Sequence, residues 1–333
     1  MTRPQWRMPA ETDPHDCTWM AWPSSGYALG EAADDARRAW ASVALAVAEF
    51  EPVRMVVDPA AVPHARKWLG SDVELLEAPL DDAWMRDMGP TFVVGPQGLG
   101  AVDWVFNGWG QQSWARWEKD ARIARQVAEW AGATLIDSAM VNEGGGIHVD
   151  GAGTVLVTET VQLDPGRNPG WHSHDIEDEL RRTLGVRDVV WLPRGLTRDY
   201  GEFGTRGHVD IVATMPSPGT VLLHVQPAPA HPDFEVTRAI RLALPAQWRV
   251  VELLAPERLE DEDGPVDHSY VNHLVCNGGV VACTFGDPRD AAALEVLASA
   301  YPGRKVVGVD ARVIFARGGG IHCITQQQPK VEP

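Results

Sequence analysis

The sequence predicts an α/β fold made by repeating one small unit around a common centre. Three observations carry that reading. Short apolar runs of strand length recur from one end of the chain to the other. Amphipathic helical segments lie between them. A turn with glycine and histidine keeps returning: GIHVD (146–150), GHVDI (207–211) and GIHCI (320–324). Two of these turns share the pentapeptide GGGIH, within EGGGIHVDG (143–151) and GGGIHCITQQQ (318–328), yet only the second runs on into a cysteine. Equivalent turns of repeated modules would point at one shared site, each copy keeping different chemistry there.

The elements follow in order. DDARRAWASVALAVAEF (34–50) reads as a helix with Trp40, Val43, Val47 and Phe50 on one face. PVRMVVD (52–58) is a continuous apolar run, as in a buried strand. VELLEAP, TFVVG, AVDWVF, TVLVTE, DVVWLP, TVLLHV, WRVVELL and KVVGVD read as further strands. Helices are expected at 116–131, 173–184, 233–243 and 288–300. LVCNGGVVACTF (274–285) reads as a hairpin that turns at Asn277-Gly278-Gly279. No linker, low-complexity tract or charge block divides the chain, which favours one unit over residues 1–333.

Bulk properties exclude several functions. With 333 residues, 44% of them hydrophobic, the chain can bury a large core. No apolar run is long enough for a membrane span, and the N-terminus lacks the apolar core of a secretory signal. The net charge of −17 repels nucleic acid and attracts small cations. The four cysteines, Cys17, Cys276, Cys283 and Cys323, show no metal-type spacing and read as reduced thiols in a cytoplasm. No HExxH or Cys/His cluster supports zinc, and no GxGxxG or P-loop supports a nucleotide.

Candidate chemistry sits at the turns. Cys323 follows three glycines and a histidine, where backbone can approach a ligand closely. A free cysteine needs a base or a nearby cation to become a nucleophile. His208 is a candidate acid/base, and Asp210, two residues on, would share its side of a strand. Trp84, Arg86 and Asp87 precede a Gly-Pro break, and Glu143 opens the first GGGIH copy, placed to orient a histidine. Bland alternatives stand beside these. Cys17, Cys276 and Cys283 read as inert core, and Arg86 with Asp87 as a surface ion pair. His148 and His322 read as turn or packing residues, and His172 and His174 as a solvated helix start.

Taken together, MPAETDPHDCTWMAWP (8–23), WMRDMGPTFV (84–93), NEGGGIHVDGAGT (142–154), PGRNPG (165–170), GHVD (207–210), SYVNHLVCNGG (269–279) and GGGIHCITQQQP (318–329) resemble the agmatine deiminase family of guanidino-group-modifying enzymes. The resemblance runs nearly end to end. It implies a five-bladed, pseudo-symmetric α/β propeller of the pentein type, built from ββαβ-like modules with its active site on the axis. It implies Cys323 as nucleophile and His208 as acid/base. It implies Asp87 and Asp210 as the carboxylates that grip the guanidinium, with Glu143 supporting His208. It implies no metal or organic cofactor, a small cationic guanidino substrate, and a tendency toward homo-oligomers that the sequence leaves open. Agmatine is the first expected substrate. Arginine, peptidyl-arginine or another guanidine are the alternatives, amidino transfer shares the chemistry, and a non-enzymatic propeller or a cysteine peptidase are the other classes.

The chain departs from the family pattern before its histidine, in RDYGEFGTRGHVD (198–210). Gly204 and Arg206 stand where acidic or amide residues are expected, Gly320 replaces an asparagine, and Arg317 precedes the glycines. These changes leave the catalytic set untouched and bear on where the substrate's far end would be held. Trp84 is expected at that pocket. Arg206 is expected either in the pocket, pairing with a substrate carboxylate, or turned outward onto Glu202 or Asp199.

Overall fold

The computed structural model describes residues 5–261 and 264–331. Strands β1 (His15–Ala21), β2 (Val53–Val57) and β3 (Glu74–Glu77) lie parallel in one sheet. The helix Ala33–Ala48 crosses between the first two, as a parallel pair requires. Its Ala36, Trp40, Val43, Ala44 and Val47 are buried at helical spacing. Emptying the Trp40 site with alanine would cost about 3–5 kcal/mol.

Three further sheets repeat a pattern of antiparallel pair, helix and parallel third strand. They are β4 (Thr91–Gly95), β5 (Gly98–Val105) and β6 (Thr134–Val141); β7 (Ile147–Val149), β8 (Thr154–Thr158) and β9 (Asp188–Leu192); and β10 (Ala213–Ser217), β11 (Thr220–Val225) and β12 (Arg249–Leu254). A small hairpin pairs β13 (Glu260–Asp261) with β14 (Gly264–Pro265). The next module is β15 (Leu274–Cys276), β16 (Gly279–Thr284) and β17 (Lys305–Asp310). Finally β18 (Thr325–Pro329) returns to pair antiparallel with β1, so the two ends of the chain close one sheet. The described residues thus form five ββαβ modules, a pseudo-symmetric five-module propeller of the pentein type.

Burial shows which way the modules face. The first strands β7, β10, β15 and β18 are almost wholly buried, whereas the third strands β9, β12 and β17 are mostly half-exposed. First strands therefore lie inward and third strands outward. The turn entering each first strand is delivered to the centre.

The expected helices at 173–184 and 233–243 are found as Ser173–Leu184 and Asp233–Ala243, and that at 288–300 as Asp290–Ala300. The helix expected at 116–131 begins later, at Ile123 after a 3-10 turn, because Trp117 packs against Gly108 in a loop. The hairpin turns on Asn277-Gly278, since Gly279 already pairs with Cys276.

Candidate active site

Each of the five inward turns places a polar group at the centre. Asp87 lies on the short helix Met85–Met88 before β4, and Glu143 precedes the 3-10 turn Gly144–Gly146 before β7. His208 and Asp210 flank Val209 at the turn Val209–Ile211 before β10. Asn272 lies just before β15, and Cys323 just before β18. The sequence suggested three such turns; the fold uses five. His208 and Asp210 do share the site, but through a 3-10 turn and not a strand.

Cys323 Sγ sits 3.3 Å from Asn272 Nδ2, which donates to it, and 3.7 Å from Asp210 Oδ2. His322 Nδ1 meets the same Asp210 oxygen at 2.7 Å, and His322 Nε2 meets Glu11 Oε1 at 2.7 Å. On the other side His208 Nε2 lies 3.1 Å from Glu143 Oε2. Arg167 Nε donates to both Glu143 oxygens at 3.0 Å, its Nη1 to Asp164 at 2.8 Å, and its Nη2 to the Thr205 carbonyl at 2.7 Å. Asp87 accepts from Trp109 Nε1 at 2.9 Å and from the Gly145 amide at 3.2 Å, and its Oδ1 stands 3.8 Å from His208 Nδ1. All of these charged groups are buried.

Burial and charge set the protonation. Burial by itself would discharge His208, but Asp87 and then Glu143 overcome it and raise its pKa to about 9. Burial likewise opposes the Glu143 anion, yet Arg167 and His208 hold it down at about 2. Burial pushes Asp87 up to about 6, with Glu143 and Asp210 adding to the rise against the pull of His208. Burial would raise Asp210 too, but the bond from His322 holds it below the ordinary range. Burial, then the Asp210 and Asp87 charges, drives the Cys323 thiol well above the ordinary cysteine range. These shifts pair a neutral thiol with a protonated imidazole near neutral pH.

The repeated glycines are explained by close approach. A Cβ on Gly145 would lie 2.4 Å from His208 Nδ1, and one on Gly320 would lie 2.4 Å from Asn272 Oδ1. Side chains there would occupy the places of the site's own atoms.

Trp84 is buried and lines the cleft over Cys323, together with Asp87, Trp109, Trp114, Phe203 and Gly318. That cleft has a volume of only about 10 Å³, room for about one water. Arg206 takes neither expected position. It pairs with Asp164 at 3.1 Å, its side chain 39% exposed, because Arg167 brings Asp164 up against the same loop. The Arg206 side chain uses neither expected carboxylate, although its amide donates to the Asp199 carbonyl at 2.9 Å; the Asp199 carboxylate is occupied by Thr205 and the Gly207 amide, which hold the loop entering His208. A half-exposed pair of this kind is worth at most about 1 kcal/mol. Arg206→Gln is expected to change an agmatine-to-arginine preference by less than about threefold in steady-state kinetics; a larger change would return Arg206 to the pocket.

Other sequence expectations are corrected. His322 is no mere packing residue, since it bridges Asp210 and Glu11. Arg86 and Asp87 are no surface pair, both being buried, and Arg86 Nε donates to the His322 carbonyl at 3.2 Å. Glu11, Asn272 and Arg167 were missed as site residues. Their only signal was membership in the quoted stretches MPAET, SYVN and PGRNPG, which say nothing about where those turns meet. Glu11, His148 and His322 could present ligand atoms to a metal within 4.8 Å of one another. Each already has a direct partner, His148 through Thr214 Oγ1 at 2.8 Å, and an ion would have to displace these bonds.

A buried thiol, an imidazole and paired carboxylates gathered from the inward turns of a five-module propeller are the arrangement of a pentein of the guanidino-modifying type. The chain belongs to the Porphyromonas-type peptidyl-arginine deiminase family, whose model matches residues 7–329. A Streptomyces coelicolor protein is 56% identical over 97% of this chain and 99% of its own length. The agmatine deiminase of Ectopseudomonas mendocina is 40% identical, with 97% and 95% covered. The solved agmatine deiminase of Enterococcus faecalis superposes with a TM-score of 0.92 at 32% identity, covering 98% of this chain and 96% of that one.

Proposed function

We propose that this chain hydrolyses agmatine to N-carbamoylputrescine and ammonia, with Cys323 as nucleophile. One observation carries the reading: His208 Nδ1 and Asp210 Oδ1 are buried and have no hydrogen-bond partner among the described residues. Buried polar atoms are otherwise almost always paired. The open Asp210 oxygen suits a flat cation with several N–H donors, and the open nitrogen of protonated His208 is a proton donor for the group that must leave. Asp87 and Asp210 grip the guanidinium by charge-assisted bonds. Its positive charge brings the thiol pKa down, and the thiol proton passes to solvent.

The thiolate then forms a C–S bond to the guanidinium carbon. His208 protonates one terminal nitrogen, the C–N bond breaks, and ammonia departs. Neutral His208 takes a proton from water, whose oxygen attacks the S-alkyl thiouronium. The new hydroxyl gives up its proton to solvent as the C–S bond breaks, the neutral ureido product leaves and the thiolate returns. Glu143, clamped by Arg167, holds His208 in place and keeps its charged form favourable. Asn272 fixes the sulfur.

The agmatine assignment draws on the relatives named above and on the acidic chain, which favours a cationic partner. The narrow cleft speaks against a peptide backbone. All five modules contribute a turn to the centre, which supports one catalytic unit. A cytoplasmic setting fits four unpaired cysteines. No described helix is long and apolar enough to cross a membrane.

The test is ammonia release from agmatine, with mass spectrometry of acid-quenched protein for an adduct on the Cys323 peptide. The absence of both ammonia and adduct with agmatine would refute the proposal. The pH profile has a defined shape. Asp87 must be charged to bind, so kcat/KM should fall as pH drops through about 6. His208 must be protonated to release ammonia, so kcat, which reports the substrate complex in which the thiol is already ionised, should fall as pH rises through about 9. A rate that keeps climbing beyond pH 10 would exclude His208 as the acid.

A further inference from the structure

We infer that the cavity beside the active-site cleft holds the substrate's far end, and that Asp267, seconded by Glu202, selects a distal cation there. The inference rests on the guanidine reading above and adds to it the recognition of the tail. The cleft over Cys323, at about 10 Å³, has no room for a four-methylene amine. The neighbouring cavity measures about 390 Å³, within the size range of small-molecule sites. The two share Phe203 and Gly318 as a common wall. On this inference the tail passes from the guanidinium along that wall into the larger space.

The wall is an unusual piece of backbone. Phe203 and Arg206 both have φ of +69°, a region that side-chain-bearing residues seldom adopt. Phe203 stacks on Tyr27 at 3.9 Å between ring centroids and sets its edge against Trp114. Tyr27 and Phe203 give the cavity aromatic faces, which accept methylenes and cations alike.

Asp267 lines this cavity while itself 9% exposed. Its own backbone amide helps to hold the charge of its carboxylate. Its charged neighbours are Asp199, Asp233 and Arg198. Burial, then the Asp199 charge, pushes its carboxyl up to about 7. An ammonium bound against it would relieve both effects. Glu202 is exposed at the rim and adds a second carboxylate, against the one guanidinium of Arg198. Two acids to one base favour a cationic tail over a carboxylate-bearing one.

The experiment compares agmatine, arginine and butylguanidine, which is agmatine without its amine, on wild type, Asp267→Asn, Glu202→Gln and Arg198→Gln. Asp267→Asn is expected to lower kcat/KM for agmatine about 50-fold, mostly through KM, while butylguanidine changes less than about threefold. Glu202→Gln should lower agmatine about fivefold with butylguanidine held, and decides the matter should Asp267→Asn not fold. An unchanged agmatine-to-butylguanidine ratio in these variants would overturn the subsite. A wild-type preference for arginine that collapses in Arg198→Gln would assign the cavity to a carboxylate and overturn the cation reading. Wild type that releases no ammonia from any of the three would instead bring down the guanidine reading itself.

Discussion

Replacing Cys323 with alanine is expected to lower kcat for agmatine by about 10⁴-fold or more, to the background of the assay. The other parts of the site can orient a guanidinium and protonate its nitrogen. None can replace the bond that sulfur makes to the central carbon, because a delocalised guanidinium is a poor target for water. Binding should survive, since Asp87 and Asp210 are still there to hold the cation. Cys17→Ala is the matched control. Cys17 is buried and reaches Gln328 at 3.5 Å, away from the five turns, and burial pushes its thiol up to about 12. It should lose about 1–2 kcal/mol of stability and keep its activity. More than a tenth of wild-type turnover in Cys323→Ala would rule out a covalent route through this residue.

Gly145→Ala should lose activity nearly as severely, by about 10²–10³-fold in kcat, from one added methyl group. The Cβ would fall 2.4 Å from His208 Nδ1 and 3.1 Å from Asp210 Oδ2. These positions flank the place where the guanidinium must sit. Either the imidazole swings away from Glu143 or the turn shifts and drags the bond from the Gly145 amide to Asp87. Gly146→Ala gives the contrast in the same tripeptide. Its Cβ would meet Asn142, Gln162 and Val161 at 3.2 Å, all away from the chemistry, and should cost stability more than rate. Measuring kcat and Tm for both variants checks this. Equal rate loss in the two would mean that the first GGGIH copy serves folding alone.

Much of the site was legible in the residues themselves. Cys323, His208, Asp210, Asp87 and Glu143 are reactive or charged types in glycine-rich turns. The fold brings all five together in one buried network. The doubled GGGIH was a true sign of repetition, since both copies enter inward first strands. Other features left no readable trace. TQQQP is a polar string by any hydropathy measure, yet it is a fully buried strand. It is stabilised by pairing with β1 and by the bond from Trp19 Nε1 to Gln328 at 2.9 Å. Arg206 looked like a candidate pocket residue because it stands where an acidic or amide residue is expected in the loop entering His208. Its direction was decided by Asp164, 42 positions away.

The sequence by itself determined the α/β texture, the repeating turns and the reactive residue types, because apolar periodicity and glycine placement are local properties. Only the tertiary structure decided that five turns meet, that Glu11 and His322 brace Asp210, that Arg167 clamps Glu143, and that Asp267 faces a cavity beside the cleft. The physical reason is range. A hydrophobic stripe is fixed by neighbours three or four residues away. A buried charge is tolerable only beside partners that the closed ring of modules brings from far along the chain.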